Sequence, residues 1–323
     1  MRWLPLVLLL LVSGAARAAE VTDATGRSVA VPDDVARVLP AGEPATVLLM
    51  ALAPDLMLGV TGPVSAEARA WLGPEAALLP RVPRLTGKQD VTDDIRALHP
   101  GLIVDYGDVT PAYVDLAKRT QERLGVPVLL LDGALGEVPH ALRVLGAALH
   151  RQARAETLAR LAEAMLALPV PARQRTVIYL RGTDELRAAA PGTGATEVFA
   201  RLGWTVLAPP EGGNFRPVTL AQIALLDPEA IVFADATMRD VVAKSDAWGA
   251  LRAVRTGMAF TAPALPFGWV EQPPSLNRLL GLAWLGGHDA MTLAATFGAV
   301  VYGHAPTTAQ LQAVGRQTQP IGR

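Results

Sequence analysis

The sequence predicts an α/β protein of two lobes, each with a central, mostly parallel sheet flanked by helices, joined by one long rigid helix. Two segments match each other, VTDDIRALHPGLIV at 91–104 and VTLAQIALLDPEAIV at 218–232. In both, a Thr suited to cap a short helix precedes a Leu-x-Pro turn and a continuous apolar strand. Such strands are typical of parallel sheets covered by helices on both faces. The repeat therefore predicts two related lobes.

The stretch between the two halves has the pattern of a helix. From 137 to 168 its apolar residues recur at three- and four-residue spacing, and neither Pro nor Gly interrupts it between Gly146 and Pro169. A helix of about 25 residues is roughly 40 Å long and would limit closure of the lobes. The sequence thus divides into a signal peptide (1–18), an N-terminal lobe (19–136), the joining helix (137–168) and a C-terminal lobe with C-terminal helices (169–323).

The N-terminal segment has the features of a cleaved signal peptide. Arg2 precedes an apolar run at 4–12, and small residues end at Ala16-Arg17-Ala18, which predicts cleavage after Ala18. The apolar run is too short to remain as a membrane helix. The chain contains no Cys, so it has neither a lipidated Cys nor a disulfide. We therefore expect a soluble, exported, non-lipidated protein of the periplasm.

The charge balance argues against nucleic acid as a partner. The chain has 29 Lys and Arg and 30 Asp and Glu. Cleavage after Ala18 removes Arg2 and Arg17, which leaves a small negative net charge and no basic run. The remaining chain is longer than one ordinary core usually holds, which agrees with two lobes. We expect a monomer.

Patterns of catalysis and of metal or cofactor binding are weak. The five His, at 99, 140, 150, 288 and 304, are scattered and do not show metal-ligand spacing. The segment GTGATE at 192–197 has Glu197 where a dinucleotide fingerprint has its third Gly. The sequence has no Gly-x-Ser-x-Gly elbow, Walker loop or Cys nucleophile. We therefore expect a binding protein without a cofactor or a protein-held metal; a periplasmic hydrolase or a structural protein is the alternative class.

Polar and aromatic residues follow several predicted strands. Ligands of parallel α/β units collect at the carboxyl ends of strands. The candidate ligand-binding residues at such positions are Lys88, Tyr106, Arg181, Phe215, Arg216, Phe267 and Trp269. Aromatic planes and three cations together favour a planar or chelated acidic ligand, although each residue alone could be an ordinary loop residue.

Several segments resemble one known family. They are VTDATGRSVAVPDDVARV (21–38), the two repeat units, the joining helix and AVRTGMAFTAPALPFGWVEQPPSLNRLLGLAWL (253–285), and together they are similar to the periplasmic binding proteins of ABC importers for iron complexes and vitamin B12. The resemblance covers nearly all of the chain after Ala18. It implies two lobes with small closure and delivery of the ligand to a membrane permease.

The same resemblance narrows the range of expected ligands and suggests a role for each of the two Trp in 253–285. Family members carry ferric siderophores, haem, corrinoids or oxyanions. The B12 carrier has Trp at positions that match Gly87 or Lys88, and Arg216. Cations in place of these aromatic residues favour an anionic iron chelate of the siderophore type, and Tyr106 could serve as a haem ligand. Trp269 is interpreted as a ligand-facing residue and Trp284 as a core residue.

The resemblance also implies docking sites for the permease. In the family, an acid at the start of the repeated short helix of each lobe pairs with Arg residues of the permease. Asp93 matches this position in the first lobe, with Asp94 beside it. In the second lobe the position is Ala221, so docking would depend on the first lobe or on another acid such as Glu197 or Glu211. Asp93 and Asp94 could instead serve only to stabilise the first turn of their helix.

Overall fold

The structure, a computed structural model, describes residues 18–85, 90–170 and 173–322. The predicted signal peptide lies outside the described residues except for Ala18, which begins the first strand. The strands are β1 (Ala18–Thr22), β2 (Ser28–Pro32), β3 (Val38–Pro40), β4 (Leu102–Gly107), β5 (Val128–Asp132), β6 (Thr176–Arg181), β7 (Arg187–Ala189), β8 (Thr205–Val206), β9 (Phe215–Pro217), β10 (Ala230–Phe233) and β11 (Ala259–Thr261).

The helices surround two main sheets. They are α1 (Glu43–Leu52), α2 (Ala66–Arg69), α3 (Pro74–Ala77), α4 (Thr92–Ala97), α5 (Pro111–Leu124), α6 (Val138–Ala148), α7 (Gln152–Leu166), α8 (Glu197–Arg201), α9 (Leu220–Leu226), α10 (Met238–Ala243), α11 (Asp246–Gly249), α12 (Arg252–Arg255), α13 (Arg278–Leu285), α14 (Ala290–Val301) and α15 (Thr308–Gln317). In the described part of the chain, no helix combines the length and the apolar character that crossing a membrane requires.

The first lobe contains a parallel sheet in the order β3-β4-β5, beside the antiparallel hairpin β1-β2. The second lobe contains the order β11-β10-β6-β7-β9, with β8 beside β6. In this second sheet only β7 runs against its neighbours. The central strands β4 and β10 are buried apolar runs, as expected for sheets covered on both faces. The predicted fold class of two α/β lobes is confirmed.

The predicted single helix at 137–168 is wrong: the structure shows two helices, α6 and α7. His150 adopts a left-handed conformation (φ 53°), and the N–H of Arg151 donates to the carbonyl of Gly146 at 2.7 Å. This is the hydrogen-bond pattern of a Schellman motif, which normally has Gly where His150 stands. The helices then run antiparallel, and Arg143 binds Glu156 at 2.8 Å and Glu163 at 2.6 Å. The lobes are therefore joined through a helical hairpin.

The last helices of the chain return to the first lobe. The guanidinium of Arg154, on α7, donates to the carbonyls of Ala51 and Val301, and so links α1 to the end of α14. The side chain of Gln310, on α15, donates to the carbonyl of Ala70 at 3.0 Å. One hydrophobic core contains residues of both halves. The C-terminal helices therefore cover both lobes.

We expect Gly146→Ala to destabilise the hairpin. A Cβ on Gly146 would lie 2.2 Å from the Cβ of Ala155, so α6 and α7 would have to move apart. Overpacking of this kind costs about 1–3 kcal/mol in the free energy of unfolding, which urea denaturation will measure. Gly136→Ala is the matched control, because a Cβ there meets no atom within 4 Å. Adding Ala155→Gly should restore part of the loss; equal stability of Gly146→Ala and the unmodified chain would contradict the prediction.

Candidate functional site

A cleft lies between the two lobes. It consists of a cavity of about 650 Å³ and a neighbouring cavity of about 680 Å³. Both cavities contact Gly107 and Asp108 of the first lobe and Glu271 and Pro274 of the second. The two cavities are therefore neighbouring parts of one cleft, which we call the interlobe cleft. Its volume falls in the range of small-molecule binding sites.

Tyr106 lies near the carboxyl end of β4 and lines the first cavity, at the kind of position that the sequence predicted. Its side chain is 1% exposed, and its hydroxyl has no hydrogen-bond partner among the described residues. Burial raises the pKa of Tyr106, and the nearby Arg278 guanidinium opposes this effect. A ligand in the cleft could supply the missing partner, since buried polar groups are nearly always hydrogen-bonded.

Arg181 and Phe215 are brought together as a stacked pair. The guanidinium carbon of Arg181 lies 4.1 Å from the centre of the Phe215 ring. Both carboxylate oxygens of Glu271 accept hydrogen bonds from Arg181, one of them from Nε at 2.7 Å. Burial raises the pKa of Glu271, and Arg181 opposes the rise. The sequence analysis missed Glu271, which neutralises the charge predicted to meet the ligand.

Arg216, another predicted cation, does not line the cleft. Arg216 follows Phe215 on β9, and successive side chains of a strand point to opposite faces. Its guanidinium donates to the carbonyls of Pro209 and Gly213, so it holds its own loop and lines neither cavity. Lys88 lies outside the described residues.

The two aromatic residues of the 264–274 loop differ in position. Phe267 lines the first cavity and packs against Tyr302, with ring centres 6.0 Å apart. Trp269 is completely buried, and its indole N–H donates to the carbonyl of Leu265 at 3.0 Å. The structure contradicts the interpretation of Trp269 as ligand-facing, because the loop folds over it and satisfies its only polar atom. Trp284 lies in the core, edge-on to Phe260, as predicted.

Arg278 is a buried cation that the sequence analysis did not select. It is 1% exposed and donates to Glu197 at 2.6 Å, to the carbonyl of Ser275 at 3.1 Å and to the carbonyl of Gly133. The other oxygen of Glu197 accepts the N–H of Leu135 at 2.6 Å. Residues of the second lobe thus bind the backbone that leads from β5 to α6. The sequence did contain a sign that Arg278 has a special role, because it is a charged residue at the start of α13, which is otherwise apolar.

Acidic residues line the first cavity. Asp105, near the carboxyl end of β4, is partly exposed, and the partial burial of its carboxyl raises its pKa against the effect of the Tyr106 N–H. Burial raises the pKa of Tyr113 too, and the negative charges of Asp108 and Asp105 add to this effect. In the part of the chain that the structure describes, no group of three or more His, Asp and Glu is arranged to hold a metal ion.

Asp93 and Asp94 lie in the first turn of α4, on the surface. Asp93 is 93% exposed and forms an ion pair with Arg96 at 2.5 Å. The matching helix α9 is capped by Thr219 and Gln222 and has no acid in its first turn. The asymmetry predicted from the sequence is therefore present, and the docking role remains a proposal.

A family model described as "Periplasmic binding protein" matches residues 81–265, more than half of the chain. The chain belongs to the periplasmic binding protein family. No curated protein matches it significantly in sequence.

Several solved structures share the fold of this periplasmic binding protein. An ABC transporter solute binding protein from Sulfurospirillum deleyianum is 21% identical, with a TM-score of 0.83 over 94% of this chain and 100% of that chain. The molybdate periplasmic binding protein MolA of Haemophilus influenzae, bound to molybdate, is 16% identical, with a TM-score of 0.67 over 90% and 99%. A protein of an ABC-type Fe3+-hydroxamate transport system from Saccharomonospora viridis is 20% identical, with a TM-score of 0.59 over 84% and 98%. At these identities the likeness shows the fold alone. As a member of its family, this periplasmic binding protein binds a solute and is not an enzyme.

We expect Arg278→Ala to destabilise the protein strongly. It leaves Glu197 and the carbonyl of Gly133 without their cation, and breaking a buried pair from one side typically costs about 3–5 kcal/mol. Glu197 retains some solvent contact, so we expect a loss at the lower end of this range in urea unfolding. Arg278→Lys keeps the positive charge but loses the forked guanidinium. Its free energy of unfolding should therefore lie between those of Arg278→Ala and the unmodified protein. If Arg278→Ala unfolds at the same urea concentration as the unmodified protein, Arg278 does not have the stabilising role proposed for it.

We expect Asp105→Asn to stabilise the ligand-free protein at pH 7. Burial raises the pKa of Asp105, so its protonated form favours folding below the unfolded pKa of about 4, and this contribution is lost as the pH rises through the folded pKa. The stabilisation by Asn should therefore shrink as the pH falls from 7 to 4, which thermal unfolding will show. Asp115→Asn, on the exposed face of α5, is the control. A lower Tm of Asp105→Asn at pH 7 would refute the prediction.

Proposed function

We propose that this protein is the periplasmic component of an ABC importer, which captures an iron complex in the interlobe cleft and delivers it to a membrane permease. The observation that carries the proposal is a cleft lined from both lobes, in a member of the periplasmic binding protein family. The proposal includes export through the signal peptide, with cleavage after Ala18 and no lipid anchor, and a monomeric state in the periplasm.

The size of the cleft favours a chelate over a bare oxyanion. Two adjoining cavities of about 650 and 680 Å³ could hold a ligand of many atoms, whereas an oxyanion requires a small cage of donors around it. The similar protein from Saccharomonospora viridis belongs to an Fe3+-hydroxamate transport system, which agrees with this choice. MolA, of the same fold, binds molybdate, so an oxyanion is the alternative cargo for the test below.

The contacts proposed for the ligand come from four of the predicted residues. Tyr106 offers a buried hydroxyl, and Phe267 offers a ring in the first cavity. Phe215 lines the second cavity and carries the Arg181 guanidinium on its face. The expectation of an anionic chelate depended on Lys88, Arg181 and Arg216. Of these, only Arg181 lines the described cleft, and Glu271 already neutralises it.

The test is binding without conversion. Purified protein is titrated by calorimetry with a ferric trihydroxamate, a ferric tris-catecholate, hemin and molybdate, and the bound ligand is recovered for mass spectrometry. We expect one equivalent of an iron complex to bind and to be recovered unchanged, with a stabilisation of about 2.7 kcal/mol at 100 times Kd. Binding of molybdate alone would refute the iron-complex cargo, and a converted ligand would refute the binding function.

We propose that Asp93 and Asp94 dock the first lobe onto the permease. The double change to Asn is expected to lower uptake of the iron complex by cells at least tenfold while the Kd of the purified protein stays within about twofold, because interfacial charge pairs act on the complex and not on the cleft. Asp115→Asn with Glu122→Gln, exposed on α5 of the same lobe, is the matched control. Normal uptake with lowered Tm would leave these acids only the role of stabilising α4.

A further inference from the structure

The charges that line the interlobe cleft are unbalanced. Six carboxylates contribute to its two cavities, from Glu43, Asp105, Asp108, Asp132, Glu197 and Glu271, against three guanidinium groups, from Arg84, Arg181 and Arg278. Lys88 is outside the described residues, and its single charge would still leave more acids than bases. A ligand with several negative charges would therefore enter a cleft in which acidic groups outnumber basic ones.

Two of the three guanidinium groups are already committed to protein acceptors. Arg181 donates from two of its nitrogens to the carboxylate of Glu271. Arg278 donates from all three nitrogens, to Glu197 and to two backbone carbonyls. Only Arg84 is loosely paired, 3.7 Å from Glu43 and half exposed. Among the described residues, a polyanionic ligand would find one accessible cation, Arg84, and would have to break existing pairs to reach another.

Two carboxylates of the first cavity have no cation partner within 4 Å in the described part of the chain. They are Asp105, at the end of β4, and Asp108, in the loop that follows. The charges of both raise the pKa of Tyr113 on α5, and the charge of Arg84 lowers it. Tyr106, with its buried and unpartnered hydroxyl, lines the same cavity. The cavity thus offers a pair of carboxylates that no described cation neutralises, beside a buried hydroxyl without a hydrogen-bond partner.

From this geometry we propose that the cargo is a metal complex with a neutral or positive net charge, which directs an ammonium group toward Asp105 and Asp108. A ferric trihydroxamate with a free amine has this chemistry: three hydroxamates neutralise the iron, and the amine adds one positive charge. The iron-centred body would lie against Phe267 and the Arg181–Phe215 pair. This inference rests on the proposed function and replaces the anionic chelate expected from the sequence.

The test compares three ferric complexes of graded charge. They are a linear trihydroxamate with a free amine (net charge about +1), the same complex with the amine acetylated (about 0) and a tris-catecholate (about −3), by the charges that the groups carry at neutral pH. Quenching of Trp fluorescence gives each Kd in 0.15 M salt, where long-range attraction is screened. We expect the amine complex to bind at least tenfold more tightly than the acetylated one and at least a hundredfold more tightly than the tris-catecholate.

A variant localises the preference. Asp108→Asn, at an exposed loop position that does not threaten folding, should bring the Kd values of the amine and acetylated complexes to within about threefold of each other. Asp115→Asn, an exposed acid on α5 outside both cavities, should keep the tenfold preference.

The outcomes separate this inference from the proposed function. Tightest binding of the tris-catecholate, or equal binding of the amine and acetylated complexes, would overturn the inference and leave the iron-complex function standing. An unchanged preference in Asp108→Asn would overturn the assignment to this carboxylate pair. If hemin binds and none of the three complexes does, the inference fails and the iron-complex function stands; if hemin fails to bind as well, both fail.

Discussion

The buried guanidinium of Arg278 fixes how the two lobes meet. It lies on α13, in the second half of the chain, yet one of its hydrogen bonds goes to the carbonyl of Gly133 in the first. Its partner Glu197, also in the second half, accepts a hydrogen bond from the N–H of Leu135 in the first half and so forms a second link between the lobes. A charge so deeply buried is tolerated only when every donor has an acceptor, so the backbone from β5 to α6 has little freedom to move. The width of the interlobe cleft follows from this constraint.

The same requirement, that buried charges be paired, determines what the cleft offers to a ligand. Glu271 binds the guanidinium of Arg181, which also stacks on the Phe215 ring. Because its charge is neutralised, Arg181 offers a ligand a flat surface and not a free cation. Asp105 and Asp108 have no such partner among the described residues, and desolvation raises the pKa of Asp105. The electrostatic character of the cleft is therefore set by pairings between distant segments, which a count of cations along the chain does not reveal.

Sequence patterns predicted what depends on local periodicity. The apolar runs of β4 and β10, the capping of α9 by Thr219 and the placement of Tyr106 and Arg181 at strand ends all follow from neighbours in the chain. The errors concern long-range contacts. The chain turns at His150, which carries no Gly or Pro signal, and α7 packs back against α6. Trp269 is buried because its own loop closes over it, which no spacing rule reveals.

The return of α14 and α15 to the first lobe bears on how the protein unfolds. A duplicated sequence suggests two units that could each form and melt alone. Here the carbonyls of Ala51 and Val301 share one guanidinium, that of Arg154, and one hydrophobic core includes both halves. Each half also has a smaller apolar cluster of its own, but the shared core would be left open if the other half were removed. The two repeats should therefore unfold together. We expect calorimetry to register a single cooperative transition whose enthalpy belongs to the whole chain.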